Sequence, residues 1–256
     1  MAAAPLPPMP ASAPASEPAP LSEGARIVDT FIAPSKTFTD LRRSAAWWGP
    51  FLLISIFSIA FFYVVGQKIG FRKVVETQIQ SSPKASARVD QLPAGQRDQA
   101  LERQAKGTQY FGYGYPLLLL LINLIISALL FATFKFAAGA TIKFKAAFAI
   151  VMYAGLPGIL RATLAIVSIM AGANADSFSL QNPVATNPAY FMTQGESPFL
   201  YSLMSSLDVF LIWTLILTAI GFTCVGKVKR GTSFAIVFGW WIVFTLIGAS
   251  IGAAFS

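Results

Sequence analysis

Long apolar runs without a charged residue constrain this chain more than any other feature. Residues 44–67, 107–134 and 231–256 contain no Asp, Glu, Lys or Arg. A helix needs about 20 apolar residues to cross the hydrocarbon core of a bilayer. The whole chain is 55% hydrophobic and only 12% charged, whereas about a quarter of a typical soluble domain is charged. The pattern predicts an all-α integral membrane bundle and excludes a soluble globule.

Five transmembrane helices account for these runs, within a membrane domain that covers residues 44–256. One charge interrupts the third span, at Arg161, and one interrupts the fourth, at Asp208. Trp47 and Tyr113 lie at span edges, where the bilayer interface favours aromatic residues. The predicted spans are about 47–66, 113–134, 146–173, 199–224 and 232–255.

The N-terminal region divides into two parts. Residues 1–22 hold seven prolines and seven alanines, so a disordered Pro/Ala-rich tail is predicted over 1–23. Residues 24–43 place Ile27 and Phe31 on one side of a helical pattern, with Arg26 and Lys36 on the polar side. This pattern predicts an amphipathic segment that lies in the membrane interface.

The distribution of Lys and Arg predicts the orientation. Ten basic residues fall before span one and in the loops that follow spans two and four, while the loop between spans three and four has none. The positive-inside rule therefore places the N-terminus in the cytoplasm and the C-terminus outside. The outer loop 67–112 holds eight basic residues against four acidic ones, but longer loops translocate with less regard to charge.

That outer loop, 67–112, has helical periodicity. Residues 69–79 and 96–105 each suit a short helix, and Pro83 is predicted to end the first. Two interpretations remain open, a helical hairpin that caps the bundle and a surface that binds a partner.

Several classes of chemistry are excluded by absent residue types. The chain has no histidine and one cysteine, Cys224, which excludes a Ser-His-Asp triad, His-ligated metal and a multi-cysteine metal site. Asp208 is the only acid within any span. The protein is therefore predicted to be no enzyme and to need no cofactor or metal. The net charge of +8 is attributed to residues that flank spans and meet anionic lipid, not to nucleic-acid binding.

Arg161 and Asp208 are the candidate intramembrane ion pair. Counted at about 1.5 Å per residue from the span edges, both lie near mid-depth on consecutive antiparallel spans. A charge at that depth is costly when alone, so the two are expected to meet. A structural pair that sets helix register and a proton or substrate relay both remain open.

Two further pairs bear on helix geometry. Pro157 and Gly158 are a candidate kink in span three, because proline removes one backbone hydrogen bond. Gly248 and Gly252 form a GxxxG pattern in span five and are candidates for close helix packing, either within one chain or between two copies.

Short strings in this order resemble the Yip-domain (Ypt/Rab-interacting protein) family of five-span membrane proteins, in its bacterial form. They are Phe31-Ile-Ala-Pro-Ser-Lys-Thr-Phe38, Trp48-Gly49-Pro50-Phe51, Tyr153-Ala-Gly-Leu-Pro157 and the segment from Leu207 to Gly221. Eukaryotic relatives carry an acidic residue shortly before the second string, where this chain has Ala45 and Ala46. The resemblance implies a five-span fold. It implies membrane organisation or trafficking for the eukaryotic members and only a membrane protein without a defined role for the bacterial ones, and this departure argues against a GTPase partner.

The functional prediction is a non-enzymatic membrane scaffold in the plasma (bacterial inner) membrane. Its expected associates are the lipid bilayer and either protein partners or further copies of the chain. The alternative is a transporter or permease component that uses Arg161 and Asp208.

Overall fold

A computed structural model describes residues 19–172, 174–193 and 197–255, and every regular element in this part of the chain is helical. Five helical segments are long and apolar enough to cross a membrane, as predicted. The predicted Pro/Ala-rich tail lies outside the described residues, except for its last five positions. The disorder predicted for that tail stays a prediction.

The predicted interfacial segment is a hairpin of two helices, α1 (Glu23–Ile32) and α2 (Pro34–Asp40). Ser22 caps α1 by accepting the backbone N–H of Ala25 at 3.2 Å, and Pro34 opens α2 at a position where no helical N–H bond is lost. The hairpin packs on the bundle, because the side chains of Phe38 and Leu41 are fully buried. A location in the bilayer interface stays a prediction.

The first two spans are α3 (Trp48–Lys68) and the second half of α6 (Ala94–Ala132), which continues as a π-helical turn through Ala137. The helix predicted over 96–105 and span two are one continuous helix of 39 residues, about 58 Å long. The glycines between residues 105 and 115 do not break this helix, since glycine lowers helix stability by only about 1 kcal/mol each.

The third span is divided at the predicted kink. Helix α7 (Phe144–Ala154) ends in a turn at Gly155 and Leu156, and α8 (Pro157–Met170) begins at the proline. Every residue from Ala146 to Ala154 is buried, so α7 lies at the centre of the bundle. Its neighbours there are α6, α10 (Val209–Gly226) and the hairpin.

The fourth span differs from the predicted continuous helix over 199–224. Helix α9 (Pro198–Ser205) stops before Asp208, and α10 starts at Val209. The break follows from the local sequence: Asp208 bonds the free N–H groups of the next helical turn, which starts a new helix. Helix α11 (Arg230–Phe255) completes the bundle and packs against α9 and α10.

The loops at the end opposite the α1–α2 hairpin are folded. The segment between α3 and the apolar half of α6 contains α4 (Phe71–Gln80), α5 (Pro83–Asp90) and the start of α6, and α4 packs along α6. Pro83 opens α5 instead of ending the preceding helix, which stops at Gln80. Between α8 and α9 the chain tucks into the bundle, where the side chains of Asn182 and Asn187 are buried and exchange two hydrogen bonds of 3.1 and 2.6 Å.

Candidate functional site

The structure brings Arg161 and Asp208 together. Arg161 lies on α8, and its Nε atom is 3.5 Å from Oδ2 of Asp208, the residue that precedes α10. Arg161 lines the same cavity as Ser58, which is the eleventh of the 21 residues of α3. Because Asp208 directly precedes α10, the pair lies beside the N-terminal end of the apolar helix of the fourth span.

Asp208 is fully engaged by protein donors. Its Oδ1 atom accepts the backbone N–H groups of Phe210 at 2.9 Å and Leu211 at 3.1 Å. Its Oδ2 atom accepts the hydroxyl of Thr186 from the tucked loop. The side chain is 5% exposed. The N-terminal end of α10, which carries a partial positive charge, therefore compensates much of the carboxylate charge before Arg161 is considered.

Arg161 is less completely engaged. Its Nη2 atom donates to the backbone oxygen of Gln181 at 3.1 Å, and its buried Nε atom makes no hydrogen bond despite its closeness to Asp208. Within the described part of the chain no group accepts a hydrogen bond from Nη1. The side chain is 36% exposed, so part of the guanidinium borders open space.

That space is a cavity of about 470 Å³ bounded by α3, α6, α8, α10 and the tucked loop. Its walls are mainly apolar and aromatic, and a few polar side chains are placed among them. The apolar lining includes Ile54, Phe61, Phe62, Phe111 and Leu119, and the polar lining includes Ser58, Tyr115, Asn123, Arg161, Gln181 and Thr214. Pockets that bind small molecules have this composition and a volume of about 300–1,000 Å³.

The candidate kink forms one wall of this cavity. Gly155 and Gly158, on either side of the break before Pro157, both line it. A Cβ atom added at Gly158 would meet no atom within 4 Å. The lack of a side chain at this position therefore contributes to the open space beside Arg161.

A second buried polar cluster joins the α1–α2 hairpin to the bundle, and the sequence analysis missed it. Arg26 is 4% exposed and pairs with Asp40 at 2.7 Å and with Glu23 at 3.1 Å. Glu23 in turn accepts the hydroxyl of Tyr153 at 2.6 Å, which links α1 to α7. We call these four residues the hairpin network.

Further bonds complete the hairpin network. The backbone oxygen of Arg26 accepts the hydroxyls of Thr30 at 2.7 Å and Thr37 at 3.0 Å. Burial lowers the pKa of Arg26 and its hydrogen bond to Asp40 raises it, with a net upward shift. The sequence pattern predicts Arg26 on the polar side of an amphipathic segment, whereas the structure buries it. The signal that could have placed it inside is the pair of acids, Glu23 and Asp40, on the same side of the two short helices.

The two glycines of the predicted packing motif in α11 have different surroundings. A Cβ atom at Gly252 would lie 3.1 Å from Oγ of Ser202 on α9, whereas one at Gly248 would meet nothing within 4 Å. Close packing inside the chain is thus observed at Gly252 and not at Gly248.

The described residues contain no group of three or more His, Cys, Asp or Glu side chains that could hold a metal ion. Cys224 is unpaired and half-buried in α10.

Comparison with known proteins identifies the family. The family model of the Yip1 domain matches residues 28–251, a range that includes both polar clusters except for Glu23 and Arg26. Neither the curated proteins nor the solved structures give a significant match. Because the family model covers most of the chain, the protein belongs to the Yip1-domain family of membrane proteins.

Proposed function

We propose that this protein is a non-enzymatic membrane scaffold that presents its α1–α2 hairpin to protein partners. The hairpin network is the observation that carries the proposal. Two short helices of 10 and 7 residues are too short to be stable alone, and the buried contacts of Arg26 hold them in one position on the bundle. A surface held in one position binds a partner with less loss of conformational entropy.

The outward side of this hairpin is the surface that the proposal requires. Ile32 is 75% exposed and Val28 is 56% exposed. Lys36 lies beside them and pairs with Asp29 at 2.8 Å. This combination of apolar and charged groups at the turn of the hairpin suits a protein partner at the membrane surface.

A photo-crosslinking amino acid at Ile32 tests this proposal in living cells. Val243 on α11, 42% exposed and apolar, is the matched control because it faces outward from the middle of a span. We expect a discrete protein adduct from position 32 and lipid adducts alone from position 243. Lipid adducts alone from both positions would contradict a scaffold that acts through this hairpin.

The proposal includes an orientation with the hairpin and the N-terminus in the cytoplasm and the C-terminus outside, in the plasma membrane. The loops at residues 138–143 and 227–229 lie at the hairpin end, and both carry basic residues, as cytoplasmic loops do. In a variant with Cys224→Ser, single cysteines at Lys143 and Lys229, both exposed, should be protected from an impermeant thiol reagent in intact cells.

The opposite side needs a position that the reagent can reach. Asn182 is buried, so a cysteine at Ser177, which is exposed, is the better probe, and it should react in intact cells. Labelling at Lys143 or Lys229 with protection at Ser177 would reverse the proposed orientation.

Transport is the second candidate, and the interrupted fourth span favours it. Transporters bind substrates near the middle of the membrane, at helices broken in the way that α9 and α10 are. The double variant Arg161→Gln/Asp208→Asn removes both charges and retains a capping side chain before α10. If the protein transports, this variant should fold and lose the cellular phenotype of the gene. If the folded double variant keeps that phenotype, a charge-dependent transport role is excluded.

A further inference from the structure

We propose that the cavity beside Arg161 binds a long-chain carboxylic acid from the membrane, with the carboxylate on the guanidinium and the acyl chain along the apolar walls. This inference does not rest on the scaffold role, because the cavity and the α1–α2 hairpin are different sites. It rests on the unused donor of Arg161 and on the shape and lining of the cavity.

Arg161 supplies the cation that an anionic head group needs. Asp208 accepts two backbone N–H groups and the hydroxyl of Thr186, so its charge is largely compensated at the start of α10. The Nη2 atom of Arg161 is engaged by Gln181. The remaining terminal nitrogen, Nη1, has no acceptor among the described residues and can donate to a carboxylate oxygen, with which guanidinium bonds are short and strong.

The walls of the cavity suit an acyl chain. On α6, the lining residues Phe111, Tyr115, Leu119 and Asn123 recur every four positions, which makes one continuous face of that helix. On α3, Ile54 and Phe61 line the opposite side. The cavity therefore extends along the spans, with its cation partway along and apolar side chains above and below.

The apolar surroundings of Arg161 select a carboxylic acid over a phospholipid head group. A permanently charged phosphodiester would have to pass apolar side chains and lipid to reach the guanidinium, and that is costly. A carboxylic acid passes them in its neutral form. Next to Arg161, the guanidinium cation favours the ionised form of the acid, so the acid releases its proton to water.

Binding of radiolabelled oleate to the full chain in phosphatidylcholine nanodiscs tests the proposal. Three unlabelled compounds serve as competitors. Oleyl alcohol has the same chain without the acid, phosphatidylglycerol supplies a phosphate head group, and acetate supplies a carboxylate without a chain. Oleate should bind saturably. Each of the three competitors should displace it at least about tenfold less well than unlabelled oleate, as expected when one charge-assisted contact or the whole chain contact is missing.

Gly158→Leu tests the location without disturbing the fold, because the added side chain enters open space and leucine favours helix. Gly248→Leu is the matched control, since a Cβ atom there also meets no atom within 4 Å and the position is on α11, outside the cavity lining. Gly158→Leu should weaken oleate binding at least about tenfold, and Gly248→Leu should leave it unchanged.

The double variant Arg161→Gln/Asp208→Asn tests the head group. It should bind oleate and oleyl alcohol with equal affinity. The proposal is overturned if Gly158→Leu binds oleate as the wild type does, or if the wild type binds oleyl alcohol as tightly as oleate. If phosphatidylglycerol displaces labelled oleate as well as unlabelled oleate does, the proposal is overturned in favour of a phospholipid. If acetate does so, it is overturned in favour of a small anion.

Discussion

The two buried polar clusters use the same chemical groups, a guanidinium and carboxylates, but differ in how completely the guanidinium is engaged. In the hairpin network, Arg26 is 4% exposed and contacts two carboxylates at 2.7 and 3.1 Å. In the cluster at the start of α10, Arg161 is 36% exposed, and its Nε atom lies 3.5 Å from Asp208 without forming a hydrogen bond.

This difference separates a structural cluster from a binding site. A buried ion pair stabilises a fold only when its hydrogen bonds are complete, because removing the charges from water is costly. The hairpin network meets this condition, which suits the attachment of two short helices. The cluster at Arg161 leaves hydrogen-bond donors of the guanidinium unused beside a cavity. A ligand in that cavity can accept hydrogen bonds from them.

The largest effect is expected from Arg26→Leu. The substitution leaves the buried Asp40 and the partly buried Glu23 without their cation, which should lower the free energy of unfolding by about 3–5 kcal/mol. Equilibrium unfolding in detergent measures this loss. Arg97→Leu is the control, because Arg97 and its partner Asp90 are both more than half exposed and the change should cost less than about 1 kcal/mol. Equal losses in the two variants would mean that the hairpin network does not hold the hairpin.

An intermediate effect is expected from Arg161→Gln and from Asp208→Asn. Because Arg161 is partly exposed, each single change should cost about 1–3 kcal/mol, less than Arg26→Leu. Asparagine retains the cap of α10, so Asp208→Asn keeps the helix start and removes the charge, together with the oxygen that accepts the hydroxyl of Thr186. Thermal unfolding of both single variants and the double variant completes the cycle.

The double variant should cost less than the sum of the two single changes, because it leaves no charge without its partner. Additive losses would show that the two side chains, although close, do not interact. A loss from Arg161→Gln as large as that from Arg26→Leu would remove the distinction between the two clusters.

The smallest effect is expected from Thr37→Val in α2. This nearly isosteric change removes one buried hydrogen bond to the backbone oxygen of Arg26, which keeps its bond from Thr30. A loss of about 0.5–1.5 kcal/mol is expected. Thr39→Val is the control, since its hydroxyl bonds Ser35 on the exposed side of the same helix. A loss for Thr39→Val that matched the loss for Thr37→Val would show that the buried hydroxyl adds nothing to the network.

The amino-acid pattern predicted the membrane class, the number of apolar helices and the family. It did not predict the break between α9 and α10. A hydropathy pattern counts Asp208 as one polar residue inside an apolar run. Whether an aspartate interrupts a helix or begins one depends on which N–H groups its carboxylate reaches, and here it reaches those of Phe210 and Leu211.

Some features follow from local sequence alone and others from contacts between distant segments. Charge-free runs of about 20 residues determine that helices cross a bilayer, because every backbone polar group must be paired inside lipid. Proline alone does not determine a break, because Pro157 begins α8 whereas Pro116 lies inside the continuous helix α6. The tertiary structure alone decided that Arg26 is buried, because its partner Asp40 lies 14 residues away and Tyr153, which bonds Glu23, lies 130 residues from that acid. It likewise decided that Arg161 borders a cavity, since helices from four parts of the chain must pack before a space between them exists.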